Sequence, residues 1–315
     1  MTLAQGIDVS RYQPTIDWQR VADSGISFAF IKASQSNFGD PLFSKHWAGA
    51  KAAKVLRGAY HYLVPDLDGA KQAAAFLKIL DKDPGELPPV LDIEAKTTNP
   101  AQYAAYSEAW LEIVEDALKR RPIIYTAAWY WNSTMLIGGK YPAWAPNYPL
   151  WVAHYPLKEG FPPLTDIEDG KYKPAMPKSW TSWTFWQYTE RGRVDGIPPI
   201  PLEGAGGGRP ANVDLNAFQS SLEDLLDWSG ANPEEVIVLP PVDASLATNV
   251  QIIQAFHQVF GNESGTMLSR TGLMPLVTGN PTARYHGPSV ANLPALTPTQ
   301  KLALTKALAD VVGGG

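Results

Sequence analysis

The sequence predicts an α/β fold: an irregular, flattened TIM-like (β/α) barrel followed by a small, mainly helical C-terminal domain. Short apolar runs alternate with helical patterns through the first part of the chain, which is the signature of βα units. The two parts also differ in composition. All 11 Trp, 12 of 13 Tyr and 8 of 10 Phe fall in residues 1–228, with 48 Asp, Glu, Lys and Arg before Ser229 and 9 after it. The junction Ser229-Gly230-Ala231-Asn232-Pro233 has turn chemistry. The expected domains are therefore 1–228 and 229–315.

The candidate strands, in order, are Gly6–Val9, Ser27–Ala33, Leu56–Leu63, Pro89–Glu94, Pro122–Ala127, Leu150–His154, Thr184–Tyr188 and Asn212–Leu215. Eight strands in about 220 residues suit a closed barrel. Asp40-Pro41 and Asn99-Pro100 each pair an N-cap residue with Pro at the first helical position, and Gln102 extends the second into a capping-box variant. The Pro-rich spacers 156–180 and 196–211 stand where later helices belong, so the helical ring should be incomplete.

Composition removes several classes. The 315 residues contain no Cys, which excludes disulfides, thiolate metal sites and thiol nucleophiles. A net charge of −5 argues against a nucleic-acid partner, and no run is long and apolar enough for membrane insertion. The five His never fall at metal spacing, no Gly-x-Ser-x-Gly elbow occurs, and the glycine-rich Gly204–Gly208 lacks the Lys-Ser/Thr of a phosphate loop. No metal and no cofactor are implied. The N-terminus shows neither a basic n-region nor an apolar h-region, so the expected location is the cytoplasm.

Barrel chemistry sits at the C-terminal ends of strands. The fourth candidate reads Val90-Leu91-Asp92-Ile93-Glu94. Side chains two apart on a strand share a face, with Cα atoms about 6.6 Å apart. Asp92 and Glu94 thus form a pair whose repulsion raises one pKa, as a general acid requires. The first and last strands carry Asp8 and Asp214, which become neighbours when the barrel closes. Four acids at one mouth with aromatic residues around them describe a carbohydrate-cleaving cleft. Tyr60, Tyr62, Tyr125, Trp151 and Tyr188 lie near strand ends and are the expected sugar contacts, with Lys32 touching substrate or an acid. Trp18, Trp47 and Trp110 are expected in the core.

Gly6-Ile7-Asp8-Val9-Ser10, Gly58-Ala59-Tyr60-His61-Tyr62, Leu91-Asp92-Ile93-Glu94, Leu150-Trp151-Val152-Ala153-His154-Tyr155, Trp186-Gln187-Tyr188 and Val213-Asp214-Leu215-Asn216 occur in the order seen in glycoside hydrolase family 25. The likeness covers about residues 4–226 and resembles the lysozymes (N-acetylmuramidases) of bacteriophage endolysins and bacterial autolysins. It implies cleavage of the β-1,4 bond from N-acetylmuramic acid to N-acetylglucosamine in bacterial peptidoglycan. By the same resemblance Glu94 is the general acid, Asp92 the second essential carboxylate, and Asp8 and Asp214 supporting acids. Asp92 is then a covalent nucleophile or steers the substrate's own 2-acetamido group. The sequence departs from the family at Gln35, where an acid often stands. The resemblance also implies an enzyme held in the host cytoplasm until release. A chitinase-like hexosaminidase and a non-catalytic wall-binding lectin are the alternatives; Leu87 and Val90 break the chitinase acid pattern.

In 229–315, Thr248 and Gln251 mark a helix start, with Val250, Ile253, Phe256 and Phe260 as its apolar stripe. Thr297-Pro298-Thr299-Gln300 marks a second, with Leu304, Leu308 and Val311. Cell-wall binding is the expected role, and self-association through these helices the alternative.

Overall fold

Eight strands close into a barrel in the computed structural model. They are β1 (Gln5–Val9), β2 (Ile26–Gln35), β4 (Leu56–Tyr62), β5 (Val90–Asp92), β6 (Ile123–Ala127), β7 (Leu150–Ala153), β8 (Phe185–Gly192) and β11 (Val213–Phe218), with the short β3 (Phe38–Gly39) folded back on the end of β2. The structure describes residues 3–157, 159–201, 208–209, 212–231 and 249–260, together with Leu268, Leu304, Ala307 and Leu308. Every expected barrel strand is present. Neighbouring strands run parallel except β11, which is antiparallel to both β1 and β8. Asp214 therefore stands near the start of its strand. The reversed direction of β11 brings it to the same mouth as the C-terminal ends of the other strands.

Alternation along the strands makes two apolar layers. Inside the barrel, Phe28 and Phe30 pack on Phe185, and Phe30 stacks on Trp151 with ring centroids 4.4 Å apart. Gly6 and Gly58 give those rings their room: a Cβ there would lie 2.3 Å from Phe28 and 2.5 Å from Phe30. The outward residues, among them Ile7, Ile31, Ala59, Leu91, Ile124, Val152 and Trp186, form one core beneath the helices with Trp110 and Phe76. Trp18, Trp47 and Trp110 are buried as expected.

The helical ring is incomplete. Helices α1 (Trp18–Asp23), α2 (Phe43–Ala52), α3 (Gly69–Leu80) and α4 (Pro100–Leu118) are followed, among the described residues before β11, by the short α5 (Ala128–Thr134) and α6 (Leu164–Glu168) and one 3-10 turn at Ala145–Asn147. Between β8 and β11 the described backbone is a small ladder, β9 (Ile200–Pro201) with β10 (Gly208–Arg209). Residues 202–207 of the glycine-rich run lie outside the described residues. Asn99 caps α4 through Gln102 N, with Pro100 at the first position. Asp40-Pro41 is not a helix start. The Asp40 carboxylate instead accepts from Arg11 N and Leu42 N, and α2 begins at Phe43.

The chain divides into two compact units, Met1–Ala231 and Asn232–Gly315. The first extends past Trp228 for a physical reason. Helix α7 (Leu222–Ser229) lays Trp228 on Phe185 and Phe218 at the end of the barrel opposite the acids. Arg120 then donates to the Ser229 carbonyl at 3.1 Å, and Gly230 caps the helix in the left-handed region.

In the second unit a helix spans Asn249–Phe260. Its buried residues are Ile252, Ala255 and Phe256, while Ile253 is 39% exposed. Phe256 is thus buried as expected, while Ile252 takes the place of Ile253, because Ile252, Ala255, Phe256 and Val259 share one helical face. Leu304 and Leu308 are helical and buried. The side chains of Val250 and Phe260, Val311 and the expected starts at Thr248 and Thr297 lie outside the described residues.

Candidate active site

Asp8 and Asp214 are register partners across β1 and β11, so closure of the barrel puts the first and last acids side by side. The Asp8 carboxylate accepts from Gln187 Nε2 and Asn216 Nδ2, each at 2.8 Å, and Gln187 Nε2 also reaches Asp214 at 3.3 Å. The same amide accepts on its oxygen from the Tyr125 and Tyr155 hydroxyls at 2.9 and 2.8 Å. Both sides of the Gln187 amide are therefore used. Trp151 Nε1 donates to Asn216 at 2.8 Å and fixes the orientation of that second amide.

Asp92 ends β5, directly beside Tyr62 on β4 and Tyr125 on β6. Glu94 lies just past the ladder on a segment that its neighbours hold. Ile93 N donates to the Tyr125 carbonyl, Thr126 Oγ1 to the Ile93 carbonyl, and Tyr130 OH to the Ala95 carbonyl. The two carboxyls thus sit on fixed backbone although only Asp92 belongs to a strand. Asp92 is buried, and its Oδ1 has no hydrogen-bond partner. A buried acceptor in that state costs roughly 1–3 kcal/mol unless a ligand or a proton satisfies it.

All four acids are held above the ordinary carboxylate range. Burial is the first cause in each case. For Asp92 the Glu94 charge adds to it, and for Glu94 the Asp8 charge, with Lys32 opposing both. For Asp214 the Asp8 charge adds next, and a hydrogen bond between the two carboxyls favours the proton on Asp214. Raised carboxyls at a mouth can donate protons near neutral pH.

Of the expected aromatic contacts, Tyr60 and Tyr62 point into the barrel and are half-buried. Lys32 lies 4.9 Å over the Tyr62 ring and donates to Gln35 at 2.8 Å. Tyr125 and Trp151 point inward but are buried, packed 4.5 Å from one another. They form the floor of the site. Tyr188 is a correction: it is 1% exposed, belongs to the outer core, and accepts from Gln5 Nε2. Strand alternation turns Gln187 inward and sends Trp186 and Tyr188 out. Three residues escaped the sequence reading. Gln187 is the hub of the acid network, Tyr155 steadies it, and Trp129 stands 74% exposed just after β6, at the mouth. Alternation about Trp186-Gln187-Tyr188 carries the signal for Gln187; nothing in the sequence separates Trp129 from core Trp residues. His61, between Tyr60 and Tyr62 on β4, faces the outer layer, bonds Ser34 and Gln72 and stacks on Trp110, neutral because burial lowers its pKa to about 3.

The chain is similar to known proteins in both sequence and fold. The profile of the family described as Glycosyl hydrolases family 25 matches residues 7–197. The chain is 34% identical over 238 residues to Lysozyme M1 of Streptomyces globisporus, covering 70% of each. It is 36% identical over 229 residues to YegX of Escherichia coli, covering 70% of this chain and 71% of that protein. Among solved structures, the bacterial lysozyme of Streptomyces coelicolor matches with a TM-score of 0.57 at 31% identity, covering 72% of this chain and 96% of that one. The family profile spans Asp8, Asp92 and Glu94, and relatives and solved structures match over about 70% of the chain, which leads to one conclusion: the chain belongs to glycosyl hydrolase family 25 and is a glycoside hydrolase.

Proposed function

We propose that the enzyme is a lysozyme, an N-acetylmuramidase that cleaves the β-1,4 bond from N-acetylmuramic acid to N-acetylglucosamine in bacterial peptidoglycan. The observation that carries the reading is the pair at the end of β5. Glu94 is a half-buried acid with a raised pKa, and Asp92 is a buried acid with one unpartnered oxygen. The names of relatives, Lysozyme M1 and the N,O-diacetylmuramidase of Chalaropsis, support the substrate class.

In the mechanism, Glu94 gives its proton to the glycosidic oxygen as the C1–O bond breaks. The carbonyl oxygen of the 2-acetamido group closes on C1, and Asp92 accepts the acetamido N–H with its free oxygen, orienting the group and offsetting the positive charge that develops on it. Glu94, now a carboxylate, takes a proton from the water that opens this ring intermediate. Asp8, Asp214 and Gln187 hold the mouth in shape and keep its charge focused on the reacting carbon.

The setting we propose is lysis of a host cell wall from within, as by a bacteriophage endolysin, with residues 232–315 holding the enzyme on the wall. The two-unit organisation supports this division. The deciding experiment is digestion of purified cell wall, borohydride reduction and identification of the reduced sugar. Muramitol is expected. Glucosaminitol would mean a glucosaminidase, and an absence of new reducing ends would leave a lectin.

A further inference from the structure

Beside the acids a cavity of about 380 Å³ opens, lined by Arg11, Lys32, Gln35, Phe38 and Asp40. One wall exists because of a tight turn. Ser36 takes φ 55°, which folds β3 back on Ser34 and Gln35 and leaves Phe38 71% exposed at the rim. The cavity holds two cations, Arg11 and Lys32, that Asp40 and, for Lys32, also Asp92 attract only from beyond ion-pair distance. Neither Arg11 nor Lys32 enters a salt bridge among the described residues. Lys32 donates to the neutral amide of Gln35, and Arg11 lies 5.4 Å over the ring of Tyr12. Asp40, the acid in the lining, already accepts from two backbone N–H groups, of Arg11 and Leu42.

The position adds chemistry to the charge. Lys32 projects from β2 onto Tyr62, and Tyr62 is the register partner of Asp92. The pocket is thus separated from the reacting pair by one aromatic ring. An anion carried by a sugar bound at Asp92 and Glu94 finds four acids on one side and these two cations on the other. A cationic pocket with a neutral amide and an aromatic rim suits a carboxylate with a short apolar attachment.

We propose that this pocket receives a carboxylate carried by the substrate, with Arg11 and Lys32 as its receptor. The proposal rests on the peptidoglycan reading above. In that polymer the groups of this chemistry near the scissile bond are the lactyl carboxylate of a muramoyl residue without its peptide and the acidic residues of a peptide stem. A glycan without either, such as chitin, leaves the pocket empty.

The test uses the full chain and four substrates: glycan strands with peptide stems, strands stripped of peptide by an amidase, and each of these after carbodiimide amidation of its carboxylates. The readout is kcat/KM from new reducing ends. The free-carboxylate form of one pair is cleaved about fivefold better than its amidated form, the size of an exposed charge pair. Which pair shows the preference identifies the source of the carboxylate. Gln35→Glu, which pairs Lys32, and Arg11→Gln each bring the ratio toward one, and raised salt shrinks it. Equal rates within both pairs, or a preference that survives both substitutions, overturn the pocket. Cleavage of none of the four overturns the muramidase reading and the pocket with it.

Discussion

Asp8 and Asp214 face one another in register across the antiparallel seam that closes the barrel, with the Gln187 amide bonded to both. Two carboxyls are thereby buried together, and ionising both of them costs the folded state. An acid whose folded pKa is raised stabilises the folded state at low pH, and that contribution is lost as pH rises from about 4 through the raised value. Asp214 is such an acid. Asp214→Asn cannot ionise and keeps a donor toward Asp8. Its Tm should match the wild type near pH 4 and exceed it by a few degrees at pH 7, with turnover reduced. Thermal melts at the two pH values decide this, and a gap that does not widen with pH would refute it.

Glu94→Gln keeps the shape and removes the proton. Reducing-end release should fall by about 10²–10⁴, with circular dichroism unchanged. Wild-type rates from a folded variant would defeat the assignment of the acid.

Lys32 holds down the raised pKa of Glu94. Removing that charge favours the protonated, donating form. The alkaline limb of the kcat profile should therefore move to higher pH in Lys32→Met. A limb that stays in place, or moves down, would separate Lys32 from the acid.

Gln187 and Tyr188 are adjacent in sequence and opposite in consequence. Gln187→Leu strands the Tyr125 and Tyr155 hydroxyls and removes a donor from Asp8, each loss costing roughly 1–3 kcal/mol. Turnover should fall at least tenfold together with Tm. Tyr188→Phe loses one bond from Gln5 on the outer layer and should leave kcat and KM unchanged. Trp129→Ala, at an exposed ring, should raise KM with Tm preserved. Kinetics and melts on the three variants test the map of the mouth.

Division of labour is tested by truncation. A chain ending at Ala231 should fold and keep turnover on soluble glycan strands while losing affinity for intact cells. A chain ending at Trp228 should melt lower, since it lacks the Ser229 carbonyl and the Gly230 cap. A fluorescent fusion of 232–315 should decorate cells, and should survive raised salt because the segment carries few charges. A fusion that ignores cells but elutes as a dimer would assign this unit to assembly.

The sequence by itself determined the strand list, the interrupted helix ring, the Asn99 cap and the four acids, because each is written in local signals: period, turn chemistry and a carboxylate at the end of an apolar run. It also identified the family, through motifs that sit on those same strands. Tertiary structure decided the rest. The reversal of β11 brings Asp214 to the mouth from the start of its strand, which no local pattern encodes. Which strand-end aromatics face sugar, which floor the site and which are core depends on partners far away in sequence. Tyr188 goes outward to Gln5, and Trp151 inward to Phe30 and Asn216. The end of the first unit was likewise set at a distance, where Arg120 reaches the carbonyl of Ser229. Side-chain type and spacing are properties of the chain, but burial and charge pairing are properties of closure, and it is closure that turns four scattered acids into one site.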